Sequence, residues 1–256
     1  MAERDALPVR LWGAALGACL FALPASAQSP RDASPAEEIL SRADEARFPQ
    51  EGFEVVVRIE SVEDGRRSEH RTLKVLSKGN ANTIVLTVEP ASERGQIMLM
   101  KERDLWMFLP RVSQPVRLSL AQRLTGQVAN GDIARANFAG DYIPTLAGIE
   151  KAGGDNMYVL DLTAVDRKVA YQRVRYWVRQ KDYRPQKAEF YSVSNRLLKT
   201  CHYEDFRVLG GKVRPGRLVM TDALSKGTQS TLHYSDLKLR ELPDQIFTKE
   251  YLRRLD

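Results

Sequence analysis

Histidine and cysteine, which often carry out catalysis or bind metals, are scarce in this sequence. The histidines are His70, His202 and His233, and none has a second ligand at a metal-binding spacing such as HExxH. Cys201 and His202 are adjacent and could form a nucleophile and its base. They lie in a predicted strand, where neighbouring side chains point to opposite faces, so they cannot meet. Cys201 is therefore interpreted as a packed thiol.

Motifs for other nucleophilic or phosphate chemistry do not occur either. The sequence has no GxSxG elbow. Residues 211–218, GKVRPGRL, imitate a phosphate-binding loop but lack the Lys-Ser/Thr pair that contacts phosphate and magnesium. Asp132 and Asp141 have no second carboxylate at a fixed spacing, although folding could bring acids together. The sequence predicts a non-catalytic protein without a cofactor or metal site; a hydrolase on the same scaffold is the alternative.

The charge balance is basic, with 39 Lys and Arg against 33 Asp and Glu and a net charge of +6. A basic balance can indicate nucleic-acid binding. The bases form no long run and the chain begins with an export signal, so we do not expect a nucleic-acid partner. Transient contact with an anionic membrane surface is the functional interpretation. A charged surface that serves solubility is the alternative.

The elements that would position any site follow an N-terminal export signal, predicted over residues 1–27. Arg10 ends a polar segment, residues 11–23 are apolar, and residues 25–27, ASA, form a small-x-small cleavage site. The apolar run is too short for a transmembrane helix, which needs about 20 residues. The pattern predicts a periplasmic protein.

We expect cleavage of this signal after Ala27, followed by a flexible lead-in over residues 28–33. Residues 16–19, LGAC, resemble a lipobox, so a lipoprotein anchored at Cys19 is the alternative. If Cys19 is removed, Cys201 is the sole remaining thiol and no disulfide can form within the chain.

Residues 34–256 are expected to form a single, mainly β domain with small helices. Ser34, Pro35 and Glu37 have the pattern of a capped helix start. From Gly52 onwards, apolar and polar residues alternate, which indicates an antiparallel meander. The predicted strands cover residues 53–60, 68–77, 83–89, 96–101, 105–109, 157–165, 171–179, 186–193, 197–206, 213–221 and 228–237. Short helices are predicted over residues 119–124 and 249–255.

Residues 105–109, LWMFL, depart from this alternation because they are apolar at both odd and even positions. Such a strand is covered on both faces: by the N-terminal helix, by the long connection that follows, or by an apolar ligand. Methionines nearby favour a surface that accepts varied apolar partners; ordinary core packing is the alternative. We expect one face to pack in the core and the other to line an apolar cavity bordered by residues 126–142. The candidate lipid-binding residues are Met98, Met100, Leu105, Trp106, Met107, Phe108, Leu109, Phe138 and Tyr142.

Several segments, in their order along the chain, resemble the LolA-like outer-membrane lipoprotein-sorting family. Residues 102–110, ERDLWMFLP, are similar to its D-x-W-x-Y-x-P strand. Other segments resemble the family branch found beside RND/MMPL-type exporters. They are VRLS at 116–119, QRLTG at 122–126, NGD at 130–132, NFAGDY at 137–142, YRPQKAEFY at 183–191 and LPDQIFT at 242–248.

The resemblance implies a curved antiparallel sheet that forms an open half-barrel, with helices over its concave apolar side. It implies a non-catalytic carrier, or chaperone, that shields lipoprotein acyl chains or another lipid during passage across the periplasm. An inner-membrane exporter of the RND/MMPL type is the implied partner. The alternative is an envelope regulatory or sensor module that uses the same fold to bind a protein partner.

Overall fold

The computed structural model describes residues 34–252, except for positions 80, 136 and 226. The predicted signal peptide (1–27), the lead-in (28–33) and residues 253–255 of the predicted C-terminal helix lie outside the described residues, as does the alternative anchor Cys19. None of the helices within the described part is both long enough and apolar enough to cross a bilayer.

The first helix, α1 (Pro35–Arg47), begins as the sequence predicts. The Ser34 hydroxyl accepts the backbone N–H of Glu37 at 3.3 Å, and the Glu37 carboxylate accepts the backbone N–H of Ser34 at 2.7 Å. This capping box satisfies donors that the helix itself leaves unpaired. The helix buries one apolar face formed by Ala36, Ile39, Leu40 and Ala43.

The described residues are dominated by one antiparallel sheet of thirteen strands. The strand order is β6-β5-β4-β3-β2-β1-β15-β14-β13-β12-β11-β10-β9, so nearly all neighbours in space are neighbours in sequence. The strands are β1 (Phe53–Glu63), β2 (Arg66–Lys78), β3 (Asn82–Glu89), β4 (Ile97–Lys101), β5 (Asp104–Phe108), β6 (Val116–Leu118), β7 (Arg123–Thr125), β8 (Val128–Ala129), β9 (Tyr142–Ala152), β10 (Asp155–Ala164), β11 (Arg173–Arg179), β12 (Pro185–Tyr191), β13 (Leu197–Leu209), β14 (Lys212–Asp222) and β15 (Gln229–Leu239).

The sheet is curved and does not close into a barrel, because β6 and β9 remain as its two edges. Pairing of β1 with β15 joins its two halves. The predicted fold class, an open and mainly β half-barrel, is confirmed. Strands β7 and β8 form a separate two-stranded sheet, and short helices occur at α2 (Asn130–Ala134) and α3 (Lys249–Leu252).

The main hydrophobic core lies on the concave face, which we call the inner face. Strand residues with alternating burial supply it, such as Val55 and Val57 in β1 and Tyr176 in β11. Helix α1 and the connection between β6 and β9 cover this face. A second, smaller cluster lies on the opposite, outer face, where Phe247 and Leu252 cover β3 to β5.

The observed fold differs from the prediction over residues 119–124 and at β9. Residues 119–124 do not form a helix; they lead into β7, and the short helix α2 begins later, at Asn130. The prediction missed β9 because this edge strand exposes Ile143 and Ile149, so its sequence shows no regular alternation. The C-terminal α-helix covers Lys249–Leu252 among the described residues.

Candidate functional site

The candidate site lies beneath residues 119–141, which we call the crossing segment. This segment connects the edge strands β6 and β9 and runs over the inner face. It contains the β7–β8 hairpin and α2, and its hairpin forms no ladder with the thirteen-stranded sheet. Its buried apolar side chains include Leu120, Val128 and Ile133. The crossing segment therefore covers the inner face by side-chain packing and polar contacts.

The hairpin end of the crossing segment is held against β1 and β15. Ser61 and Ser230 are buried and hydrogen-bonded to each other at 2.7 Å. The Gln127 N–H donates to the Ser230 hydroxyl at 2.9 Å. Gly126, with φ at +50°, makes the turn and lies directly over the serine pair. A glycine is required here both by the left-handed backbone and by the close approach.

The α2 end is held by a buried ion pair. The Lys199 ammonium group donates to the Asp132 carboxylate at 2.5 Å, and their side chains are 4% and 5% exposed. Tyr171 donates its hydroxyl to both Asp132 oxygens at 3.0 Å. Burial first, and then the Asp132 carboxylate, raise the pKa of Tyr171 well above its ordinary value, so the phenol remains a donor.

Asp44 connects the crossing segment to α1. Its carboxylate accepts the backbone N–H groups of Phe138 at 2.8 Å and Ala139 at 2.7 Å. Arg47, one turn later, lies 3.5 Å from the other Asp44 oxygen and stacks 4.5 Å from the Phe138 ring centre. Burial raises the pKa of Asp44 to about 6, against the opposing effects of Arg47 and the two N–H groups.

A further ionic contact bridges the open side of the half-barrel. Arg103, in the turn between β4 and β5, donates to Asp141 at 3.0 Å, Asp166 at 3.1 Å and the Gly140 carbonyl at 2.7 Å. Arg135 also donates to Asp141. These contacts tie one side of the sheet to the start of β9 and to the segment after β10. The crossing segment is thus fastened by charged or polar groups at each of its ends.

A small cavity of about 40 Å³ remains between the crossing segment and the sheet. Its walls include Arg47, Asp132, Phe138, Tyr142, Tyr171, Phe190 and Tyr203. Ligand sites for small organic molecules usually measure about 300–1,000 Å³. This cavity is therefore too small for a long ligand, and side chains of the protein occupy the space beneath the crossing segment that such a ligand would need.

The predicted lipid-binding residues fall into three places. Phe138 and Tyr142 line the cavity, with ring centres 5.5 Å apart. Met98, Met100 and Leu105 are buried in the inner core, Met107 packs against it and Leu109 is half-buried.

The other two candidates, Trp106 and Phe108, face outward from β5. They pack with Phe247 and Leu252, and the Lys249 ammonium group lies 4.0 Å from the centre of the Trp106 ring. The two-sided apolar strand is thus covered by protein on both faces. The expectation that one face of residues 105–109 borders an open cavity does not match this arrangement, because the C-terminal segment folds back over it.

Sequence reasoning considered Asp132 but missed Lys199 and the ion pair that the two form. Lys199 shares the inward-facing register of β13 with Cys201 and Tyr203, and all three are buried. A lysine at an apolar position of an alternating strand was the available signal. No sequence rule pairs it with Asp132, which lies 67 positions away.

The cysteine and histidine chemistry is consistent with the sequence interpretation. Cys201 is fully buried, and burial raises the pKa of its thiol to about 12, so it is not a thiolate near neutral pH. His202 is exposed on the other face of the strand. Within the described residues, no cluster of three or more His, Cys, Asp or Glu side chains is arranged to hold a metal ion.

Comparison with known proteins identifies the family. A family model with the description "Uncharacterized protein" matches residues 79–254. A LolA superfamily protein from Nitrosomonas europaea is 59% identical, with 86% of this chain and 100% of the other covered and a TM-score of 0.82. The chain belongs to the LolA superfamily. The resemblance seen in the sequence is thereby confirmed at this level.

More distant structures share the LolA-like fold. One is a domain from Vibrio parahaemolyticus named for outer membrane lipoprotein sorting, with 21% identity, a TM-score of 0.73, and coverage of 86% and 98%. Another is a DUF1329 family protein from Desulfovibrio piger, with 21% identity, a TM-score of 0.73, and coverage of 85% and 97%. No protein of curated function matches this LolA superfamily chain.

Proposed function

We propose that this LolA superfamily protein is a non-catalytic periplasmic carrier that binds acyl chains of a lipid or lipoprotein on its inner face. The observation that carries the proposal is the cover over that face. The crossing segment contributes Leu120, Val128 and Ile133 to the inner core, yet its hairpin makes no ladder with the thirteen-stranded sheet. It can leave without breaking a strand pairing of that sheet.

The cavity of about 40 Å³ is too small to hold an acyl chain. An acyl chain can therefore bind the inner face only if the crossing segment moves away. Burial of Leu120, Val128 and Ile133 stabilises the closed arrangement by about 1.5–3 kcal/mol each. An acyl chain gains about 0.8 kcal/mol per buried methylene. About ten methylenes therefore compensate for the loss of all three side-chain contacts.

Native mass spectrometry of protein purified from cell envelope tests the proposal. We expect adducts with the masses of lipids or acylated peptides, lost on denaturation. Hydrogen exchange then locates the ligand: amides of the crossing segment, such as those of Gly131 and Phe138, should lose protection in the adduct while those of β13 remain protected. A protein that is always ligand-free and excludes acyl probes would contradict the carrier function.

A second candidate function is binding of a protein partner, and the exposed edge strand β9 favours it. Ile143 and Ile149 are each 60% exposed, and Leu146 is 40% exposed. Pro144 and the register shift near Gly148 limit pairing of a further strand with this edge, so a partner would contact the exposed side chains of β9. This function would be favoured if the protein co-purified with a membrane-bound regulator. The Ile143→Ser/Ile149→Ser variant should then lose the regulator and keep normal lipid adducts.

An RND/MMPL-type exporter as partner and contact with a membrane surface remain predictions.

A further inference from the structure

The crossing segment makes polar contacts with the inner face that a ligand taking its place would have to replace. These contacts indicate the chemical class of that ligand. Lys199 projects from β13 into the inner face, with its ammonium group 4.9 Å from the ring centre of Tyr171 and 5.2 Å from that of Phe190. Aromatic faces attract a cation but do not accept its three hydrogen bonds fully. A buried ammonium group needs oxygen acceptors or an opposite charge nearby.

Both oxygen acceptors of Lys199 belong to the crossing segment. They are the Asp132 carboxylate at 2.5 Å and the Gln127 carbonyl at 2.8 Å. The remaining contact is the Met220 sulfur at 3.5 Å, a weak acceptor that lies on β14 of the main sheet. When an acyl chain takes the place of the crossing segment, it keeps Lys199 buried but supplies no counter-charge, which is strongly unfavourable.

The other buried cations on this side differ in this respect. Arg47 lies in α1 together with its partner Asp44, and Arg214 of β14 donates to the Glu45 carbonyl of α1 at 2.6 Å. Their partners remain when the crossing segment alone moves. Of these three buried cations, Lys199 is the one whose counter-charge lies on the crossing segment.

The surroundings also give a headgroup access to Lys199. A groove of about 220 Å³ opens at this position between the hairpin of the crossing segment and β13, and Arg123, Gln127 and Lys199 are among its lining residues. Asp222, the acid in the same groove, accepts the backbone N–H groups of Leu224 and Ser225 at 2.6 and 3.0 Å. These two N–H groups hold the Asp222 carboxylate in the turn after β14.

We propose that Lys199 is the anion-binding group of the inner face, and that the ligand is an anionic amphiphile. Its phosphate or carboxylate takes the place of the Asp132 carboxylate, while its acyl chain covers the surface vacated by Leu120 and Val128. This inference rests on the proposed acyl-chain binding, which it deepens by naming the ligand class and the residue that selects it.

The test compares lysophosphatidic acid with monopalmitoylglycerol, which share a palmitoyl chain and differ by the phosphate. Each is titrated below its micelle-forming concentration against the complex of the protein with the neutral probe N-phenyl-1-naphthylamine. We expect the wild type to prefer the phosphate lipid at least about tenfold, which corresponds to about 1.4 kcal/mol. Lys199→Met should reduce the preference to about twofold or less.

Two further variants separate recognition from folding. Lys199→Met/Asp132→Asn removes both charges, since an uncharged replacement for a buried pair is often tolerated; it should also lose the preference. Lys187→Met makes the same change on the outer face of β12, opposite the buried Ala188, and should keep it. Asp132→Asn alone removes the carboxylate that competes with the ligand for Lys199, so it should increase the preference for the phosphate lipid. If the ion pair were purely structural, its loss in this variant would weaken binding of both lipids equally.

The outcomes distinguish the two proposals. Equal affinity for the two lipids overturns the anion inference and leaves acyl-chain binding in place. Failure of both lipids to displace the probe, or of the probe to bind, overturns both. An arm with inorganic phosphate alone tests the source of the anion: competition by free phosphate as effective as that by the lipid would overturn an amphiphile site.

Discussion

The Asp44 carboxylate of α1 accepts the backbone N–H of Phe138 in the crossing segment at 2.8 Å. The same oxygen accepts the N–H of Ala139 at 2.7 Å. One buried carboxylate thus joins the two elements that cover the inner face, and the conformation of one depends on the other. Because Asp44 lies at this junction, its protonation state should influence how tightly the cover is held.

We expect Asp44 to make stability depend on pH between about 4 and 7. Its folded-state pKa of about 6 lies above the ordinary value of 3.8, so the folded protein binds the proton more tightly than the unfolded chain. The resulting stabilisation is complete below pH 3.8 and is lost as pH rises through 6. Relative to Asp44→Asn, the wild type should lose up to about 3 kcal/mol of unfolding free energy over this range. Urea unfolding at several pH values measures this difference.

Asp155 provides a control of opposite sign. A hydrogen bond from Lys181, opposed by burial and assisted by Arg179, lowers the pKa of Asp155 below 3.8. Its stabilisation is present above that value and is lost as pH falls further. The difference between wild type and Asp155→Asn should therefore be flat between pH 4 and 7. A similar slope for both variants would contradict the assignment to Asp44.

The sheet and the first helix could be predicted from the sequence because their signals are local. Alternation in β1 and the capping box at Ser34 each depend on a few neighbouring residues. Strand β9 could not be predicted, because an edge strand that is wet on both faces has no alternation to reveal it. The gap between β6 and β9 was recognised as an unusual connection, but its internal hairpin was not.

The candidate site was harder to predict, because long-range contacts decide it. The apolar pattern of residues 105–109 correctly predicted that both faces of this strand are buried. No local signal, however, shows that Phe247 packs in the same cluster as Phe108. The pairing of Lys199 with Asp132 likewise depends on where the crossing segment lies. Sequence patterns indicated which faces are buried, while the chain topology determines what buries them.

We expect Gly126→Ala to loosen the hairpin of the crossing segment. An added Cβ would lie 2.1 Å from the Ser61 hydroxyl and 2.3 Å from that of Ser230, so the hairpin must shift away from the sheet. Overpacking of this kind costs about 1–3 kcal/mol. Urea unfolding should show the loss, and affinity for N-phenyl-1-naphthylamine should rise as the inner face becomes accessible.

Gly153→Ala is the matched control for that variant. Gly153 also has a positive φ, +59°, but no atom lies within 4 Å of an added Cβ. Gly153→Ala should therefore cause similar backbone strain without pushing any neighbouring group aside. We expect its affinity for N-phenyl-1-naphthylamine to equal that of the wild type. Equal probe affinity in Gly126→Ala and the wild type would indicate that the hairpin does not control access.

The two faces of β5 should respond differently to truncation. Leu105 is buried in the inner core, whereas Phe108 is buried in the outer cluster. Leu105→Ala and Phe108→Ala should each lower the unfolding free energy, by about 2–5 and 3–5 kcal/mol respectively. We expect Leu105→Ala alone to change the affinity for lysophosphatidic acid, measured under conditions where both variants are folded. A larger change in Phe108→Ala would place the ligand on the outer face.

The C-terminal segment should act as a structural cover for the outer face and have no part in ligand binding. Phe247 is 1% exposed and packs in the same cluster as Trp106. In a Trp177→Phe chain starting at residue 28, Trp106 is the remaining tryptophan and reports on this cluster. Phe247→Ala should shift its fluorescence to longer wavelength, because water reaches the ring. Tyr251→Ala, at a position that is 39% exposed, should not shift the fluorescence.

The lipid affinity of Phe247→Ala should stay within about twofold of the wild type, a change of under about 0.5 kcal/mol. A larger loss of affinity would show that the outer and inner faces are coupled.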